Sequence, residues 1–594
     1  MAPLTIRKLV SRYRLKSKQS KADTDDETPF PIVQTVPVAK GSPEYEMLRD
    51  GIVIEQFDEK VPKELRLPRK FINNPPTNVT QVPRECGLLT KKELEITENY
   101  DVTALAEAIS EGKLTSVAVA TAFGKRAIIA HQLTCCLTEW FMDEAIERAR
   151  YLDEYLEEHG KPVGPLHGVP ISIKEHMQIA HHWSADGFIA TRYLDTEDAH
   201  LVAILRDLGA VFYCKTNQPQ AIMHLETISP YGRTLNPYNL NLSAGGSSGG
   251  EAALIALRGS ILGMGTDIGG GIRTPAAFCG IYGFKPTSNY LPMNGVVHNA
   301  NPVELIISAT CGPMATSLRD LDLVVAWILS ARSSPHLREP NLVPLPWTGL
   351  AKPLSRMPLK IGFMMNDGLI TPQPPVLRAL EWAQSKLSNS FAIEVKAFRP
   401  YRVADAMNSI RKADTSDGGA HVEAMLAETG EPMEPLTQWY LQKAEKHGLM
   451  EIMRLKLERD EFRCKFAQYW QDSDVDVVIC PSYVGPACAH DTGYFWNYSA
   501  FWNYVDFPGV VWPTPIKAEK KGEEPYAADW QPLSDDDVCV RKLWDEGDFE
   551  GAPVNLQMVT RRYQCYELFA AMGAIHNVLG LELDGTAQKT KARK

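Results

Sequence analysis

Residues 243–275 read SAGGSSGGEAALIALRGSILGMGTDIGGGIRTP, two glycine clusters joined by an apolar run with helical spacing. Glycine lacks a Cβ, so such clusters let the backbone turn sharply and bring N–H groups close to a ligand. Each glycine also costs conformational entropy on folding, so a packed core gains nothing from them. The pattern points to a site where main-chain amides do the binding. Ser247 and Ser248 stand in the first cluster, and Asp267, Gly269, Gly270, Gly271 and Arg273 in or beside the second.

Three motif chemistries compete for this stretch. A phosphate loop needs G-x-x-x-x-G-K-[ST]; Gly245 to Gly250 supplies the glycines, but Glu251 and Ala252 follow, and a carboxylate there repels phosphate. A dinucleotide loop needs G-x-G-x-x-G; Gly263 and Gly265 begin one, but Ile268 stands at the third glycine. A serine elbow needs G-x-S-x-G, which Gly245 to Gly249 matches with Ser247 at its centre. The elbow follows a buried strand, whereas TLNPYNLNL before it is polar and turn-rich. A backbone oxyanion hole, with N–H donors waiting for developing negative charge, is the chemistry left.

GGSSGGEAALIA followed by GTDIGGGIRTPAAFCGIYGFKPT resembles the amidase signature family, in particular its acetamidase-like (general amidase) branch. The resemblance runs from about residue 101 to 581. It implies an α/β fold, a large mixed β-sheet covered on both faces by α-helices. It implies hydrolysis of the carbon–nitrogen bond of a small carboxamide by a Ser-Ser-Lys triad, with no cofactor and no metal. The bridging serine is then Ser247. The oxyanion amides are those of Ile268, Gly269, Gly270 and residue 271. The lysine lies upstream in GVPISIKEH and is Lys174. The family reads GTDIGGSIR where this chain reads GTDIGGGIR, so the nucleophile position is Gly271 and carries no hydroxyl.

Three readings follow. The chain is an amide hydrolase scaffold, inactive or impaired as written, with one unusual route open: a water in the vacated space, deprotonated by Lys174 through Ser247. Alternatively it is a pseudoamidase that binds an amide or acyl ligand or a partner. The third reading is a G-x-S-x-G hydrolase using Ser247, which needs a downstream histidine the family pattern does not provide.

The flanking chain supports an α/β alternation. From Asp101 two helices are read, broken at Gly112, then a helix running from the LTCC segment to a C-capping Gly160. A short strand, Val169 to Ile173, delivers Lys174 at its end; Glu175 after it is read as orienting structure. Without the resemblance Lys174 is a solvated end-of-strand charge; with it, burial would favour the neutral amine that the reaction needs. DAHLVAILRDLGAVFYCKTN is a helix and a strand, and Thr216, Asn217 and Gln218 follow where α/β proteins place ligand-facing loops; Lys215 to Gln220 also fits the K-T-N-x-P-Q of the family it resembles. EAALIALRGSILGMGTD is a helix starting right after the serines, then a strand into the second cluster. Asp267 and Arg273 are read as an ion pair within that loop, in structural support. Thr274 is the nearest remaining hydroxyl, but a three-residue offset aims it elsewhere.

Residues 1–83 are read as an N-terminal extension, a basic arm to Lys21 and then an irregular, proline- and charge-rich wrap. Residues 84–594 are read as one amidase signature domain, with a helical insertion around 401–470 that in the family covers the substrate channel. The acid-poor arm fits a solvated face better than a mitochondrial presequence, and the location expected is cytoplasmic. A net charge of −11 argues against nucleic acid as a partner. No apolar run reaches the roughly 18 residues that span a bilayer. Eleven cysteines without a C-x-x-C pair read as buried free thiols. A homodimer is among the assemblies left open. His490 and Asp491 offer an acid–base pair, but the family relay uses no histidine, so they are read as structural. Tyr494, Phe495, Trp496, Tyr498, Phe501 and Trp502 are read either as an apolar acyl pocket or as core.

Overall fold

In the computed structural model, which describes residues 30–296, 306–330 and 332–584, the chain begins with short helices. The basic arm to Lys21 lies outside the described residues. Where proline and charge suggest an irregular wrap, the chain instead forms α1 (Pro43–Val53), a π turn (Ile54–Asp58) and short helices at Arg69–Asn73 and Val82–Glu85. Ser42 caps α1 by accepting from Tyr45 N, and Pro43 occupies the first turn, where a missing N–H costs nothing.

Then follow α2 (Lys91–Glu98), α3 (Val102–Ser110) and α4 (Ser116–Thr134). The wrap docks on α4: Gln132 accepts from Leu67 N at 2.7 Å and donates to Leu65 O at 2.9 Å. The LTCC segment, read as helix, holds a strand, β1 (Leu137–Trp140). Helix α4 stops because Cys135 adopts a left-handed conformation, φ 52°. Helix α5 (Met142–His159) ends at Gly160, whose φ of 64° allows the C-cap.

The chain divides into two compact units. The first holds the chain up to Met264 with the segments from Met293 and from Gly419 to Lys443; the second holds Gly265–Pro292 and most of the remainder. The first unit carries β1, β2 (Pro170–Lys174), α6 (His200–Asp207), β3 (Val211–Thr216), α7 (Gly249–Ala256) and most of β4 (Leu262–Asp267). Its strands run in the order β1-β3-β2-β4, antiparallel at the β1 edge and parallel from β3 onward. Every residue of β2, β3 and β4 is buried, so both faces of these strands are covered.

The second unit carries α8 (Arg273–Phe278), β5 (Tyr282–Lys285), β6 (Thr310–Ala315), α9 (Leu318–Ile328), β7 (Leu359–Phe363), α10 (Pro374–Ser388) and β8 (Ile393–Ala397). It continues with α11 (Val403–Asp414), α12 (Ala420–Thr429) and α13 (Pro435–Leu441), of which the last two belong to the first unit, and α14 (Leu449–Asp472). It closes with β9 (Val477–Pro481), α15 (Asn497–Tyr504), β10 (Gly509–Lys517), β11 (Pro553–Val559) and α16 (Cys565–Leu579). The order here is β6-β5-β10-β11-β9-β7-β8, mixed in direction. This is an α/β architecture.

Residues 401–470 are helical apart from their connections. Within the first unit, α12 and α13 are tied to the loop after β3. Glu431 accepts from Ile189 N at 3.1 Å and from Gln220 Nε2 at 2.8 Å, and Thr437 donates to Gln220 Oε1 at 2.8 Å. Phe188 and Ala221 pack against Val422 and Leu426 beside these bonds. No helix of the described residues is long and apolar enough to cross a membrane. All eleven cysteines are free thiols, and only Cys464 and Cys539 are exposed.

Candidate active site

Strand β2 ends at Lys174, which is fully buried. Its Nζ donates to Ser247 Oγ at 2.7 Å. The two residues are 73 positions apart and meet because the first glycine cluster folds in closely. A Cβ on Gly246 would lie 2.4 Å from His224 O, and one on Gly250 would lie 2.4 Å from Asn217 N. Only glycine admits such approaches of backbone to backbone. Ser247 follows a cis peptide bond from Gly246, and α7 begins at Gly249, so the positive end of that helix faces the serines.

The loop after β3, read as ligand-facing, spends its side chains on structure. Asn217 donates to Cys135 O, Gly232 O and Thr234 Oγ1 and accepts from Ser229. Gln218 donates to Ala185 O at 2.7 Å. Lys215 is buried and donates to Trp183 O and Ser184 Oγ, with Asp195 at 3.6 Å. Glu175 accompanies Lys174 in burial, which pushes its carboxyl up to about 8 against the pull of Lys215 and Arg192.

In the second unit, the second cluster is built on Asp267. Its carboxylate takes two bonds from Arg273, Nε and Nη2, each at 3.0 Å. It also accepts from Asn503 Nδ2 at 2.9 Å and from three loop amides, Gly270, Ile272 and Arg273. Burial works to raise this carboxyl, but the Arg273 charge and hydrogen bonds outweigh it and hold the group well below the usual carboxylate range. Arg273 reaches on to Ser499 O at 3.0 Å and to Asn503 Oδ1 at 2.6 Å, so all this buried charge is paired.

The bond at 2.9 Å to Asp267 Oδ1 occupies the Gly270 N–H, so that amide is committed inside the loop. The N–H groups of Ile268, Gly269 and Gly271 have no hydrogen-bond partner among the described residues. Gly270 sits at φ 129°, and a Cβ there would meet Ser499 Oγ at 2.5 Å, so both backbone and space demand glycine. Gly271 differs. It is absent from the positive-φ glycines, so its backbone makes no demand for glycine.

Thr274 Oγ1 is buried without a partner among the described residues, under the turn at Gly270. His490 and Asp491 lie half-buried in the turn before α15. Of the aromatic run, Phe495, Trp496, Tyr498, Phe501 and Trp502 are buried; Phe501 and Trp502 pack edge-on to Phe466, as core. No group of side chains fit to hold a metal occurs among the described residues.

Comparison with known proteins agrees with this architecture. The amidase family profile matches residues 118–569. An acetamidase of Aspergillus oryzae is 36% identical over 517 residues, 85% of this chain and 94% of that protein. An amidase of Gibberella zeae is 36% identical over 519 residues, 85% of this chain and 94% of that protein. The structure of a fatty acid amide hydrolase superposes with a TM-score of 0.80 at 31% identity, covering 97% of this chain and 95% of that one. With its mixed sheet, its glycine clusters and these relatives, the chain belongs to the amidase family of hydrolases acting on amides.

Proposed function

We propose that this chain is an amidase-family scaffold for small carboxamides whose Ser-Ser-Lys relay lacks its final hydroxyl. The buried contact of 2.7 Å between Lys174 and Ser247 carries the reading. In it, Lys174 as a neutral amine takes a proton from Ser247, and Ser247 takes one from the hydroxyl that attacks the amide carbon. The negative charge that develops on the carbonyl oxygen is met by the N–H groups of Ile268, Gly269 and Gly271, which have no other partner among the described residues. Residue 271 would supply the hydroxyl, and glycine has none. Main-chain donors survive this change, so the chain retains the means to bind an amide or acyl group while turnover falls steeply. Acetamidase relatives support a small aliphatic acyl group.

The G-x-S-x-G reading, with Ser247 as nucleophile, calls for a histidine base, and the side chain hydrogen-bonded to Ser247 is Lys174 instead. Hydrolysis of a panel of aliphatic and aromatic amides by this chain, by Gly271→Ser, and by each of these carrying Lys174→Ala tests the proposal. Activity is expected in Gly271→Ser alone. Equal activity with and without the serine, abolished by Lys174→Ala, would replace the proposal by the water route.

A further inference from the structure

Glu251 lies in the first turn of α7 and is fully buried in the first unit. Ser172 Oγ donates to its Oε2 at 2.5 Å, and Thr216 Oγ1 to its Oε1 at 3.0 Å. Ser172 stands two residues before Lys174 on β2, so both side chains leave the same face of the strand. Thr216 is the β3 residue in register with Lys174. On β4, a Cβ at Gly263 would lie 2.0 Å from Glu251 Oε2, so the missing side chain makes the slot for the carboxyl. Three neighbouring strands thus make room for one acid beside the lysine. For stability alone an apolar residue would fill that space at less cost.

The hydroxyls suit either charge state of the acid. Ser172 Oγ is also 2.9 Å from Ser260 Oγ, and Ser260 donates to Leu262 O at 2.8 Å. With the carboxyl ionised, Ser172 donates to it. With the carboxyl protonated, its O–H donates to Ser172, which turns to Ser260. Burial pushes the carboxyl up to about 8, with Ser172, Thr216 and the Lys174 charge pulling the other way. Acid and amine therefore compete for protons as a pair. The other titratable groups that feel Glu251 are Cys136, Tyr213 and Cys214, each kept neutral by burial. Glu175, the next residue after Lys174, faces Lys215, Asp186 and Arg192 instead.

We propose that Glu251 is a positioning residue that sets the basicity of Lys174: its negative charge supports the ammonium that forms when Lys174 takes the relay proton. This rests on the reading of Lys174 as the base. In that step the nucleophile hydroxyl gives its proton to Ser247 Oγ as the Ser247 proton passes to Lys174 Nζ. The nucleophile oxygen bonds to the carbonyl carbon, whose oxygen takes the π electron pair. Glu251 is not on the path of the proton and acts by charge, as the buried aspartate does behind the histidine of serine proteases.

The test follows Lys174 in the full chain by NMR of 13Cε-labelled lysines, its signal assigned by loss in Lys174→Arg. Glu251→Gln is expected to lower the Lys174 titration midpoint by about 1–3 pH units, the range for losing a close opposite charge. In the Gly271→Ser background, Glu251→Gln is expected to lower kcat at least about tenfold with KM unchanged, and to move the ascending limb of the pH profile to lower pH. A midpoint and limb that stay in place, with only the melting temperature reduced, would make Glu251 structural and overturn the proposal. Should Gly271→Ser not hydrolyse amides, the reading of residue 271 fails while the titration still decides for or against Glu251. Should Glu251→Gln not fold, Thr216→Val takes one donor from the carboxylate and gives a smaller fall in the same direction; no fall counts against the proposal.

Discussion

Asp267 and Arg273 show what holds the second glycine cluster. Two full charges lie out of water, which is tolerable only because each hydrogen-bonding position is filled. Asp267→Asn keeps the shape and removes the charge, leaving Arg273 uncompensated. It is expected to lower stability by about 3–5 kcal/mol, read from denaturant unfolding. A loss under about 1 kcal/mol would mean that the neutral network suffices. At this scale it is the family resemblance that singles out Lys174 and Ser247, while the loop sequence alone pairs Asp267 with Arg273. It could not reveal that the Gly270 amide is committed to Asp267, because that follows from a turn closed by six residues folding back. Nor did it give Glu251 a role. A carboxylate after GGSSGG argues against phosphate, but its slot is built by Ser172, Thr216 and Gly263, which come together only in the sheet.

The helices were legible where apolar spacing and glycine caps agree, as at α3, α5 and α7. Strand β1 was not. Its four residues, LTEW, are all buried and carry no alternation, and helical spacing runs on either side. Its one carboxylate, Glu139, is buried against His182 at 3.1 Å, a pairing that no local pattern announces. Strands β5 and β6 contain Gly283, Gly312 and Pro313, residues that ordinarily interrupt strands. The first glycine cluster is an element defined by approach distances. Gly250→Ala would place a Cβ against Asn217 N and Cys136 O. Backbone cannot yield as a side chain does, so a loss of about 1–3 kcal/mol is expected as a lowered melting temperature. An unchanged melting temperature would show that α7 can shift away from β3.

Across the whole molecule, buried titratable groups pull stability in two directions. Burial pushes Glu175 and Glu431 from 4.5 up to about 8. These two groups hold their protons when folded, so their contribution is lost as pH rises from 4.5 through about 8. Burial pushes His131 and His224 from 6.5 down to about 3, so their contribution is lost as pH falls from 6.5. The melting temperature is expected to peak between pH 4.5 and 6.5 and to decline from 6.5 to 8, as scanning calorimetry would record. A flat or rising trend over that upper interval would contradict it. The return of residues 419–443 to the first unit was equally hidden from the sequence, since Glu431 meets Gln220 across 211 positions.

The central claim is that the relay from Lys174 through Ser247 stops at a residue without a hydroxyl. A fluorophosphonate probe, with adducts located by mass spectrometry, tests this most directly, since it reports an activated hydroxyl whatever the amide substrate is. The account predicts no adduct on this chain, an adduct at residue 271 in Gly271→Ser, and its loss when Lys174→Ala is added. An adduct on Ser247 of this chain would contradict the account and make Ser247 the nucleophile.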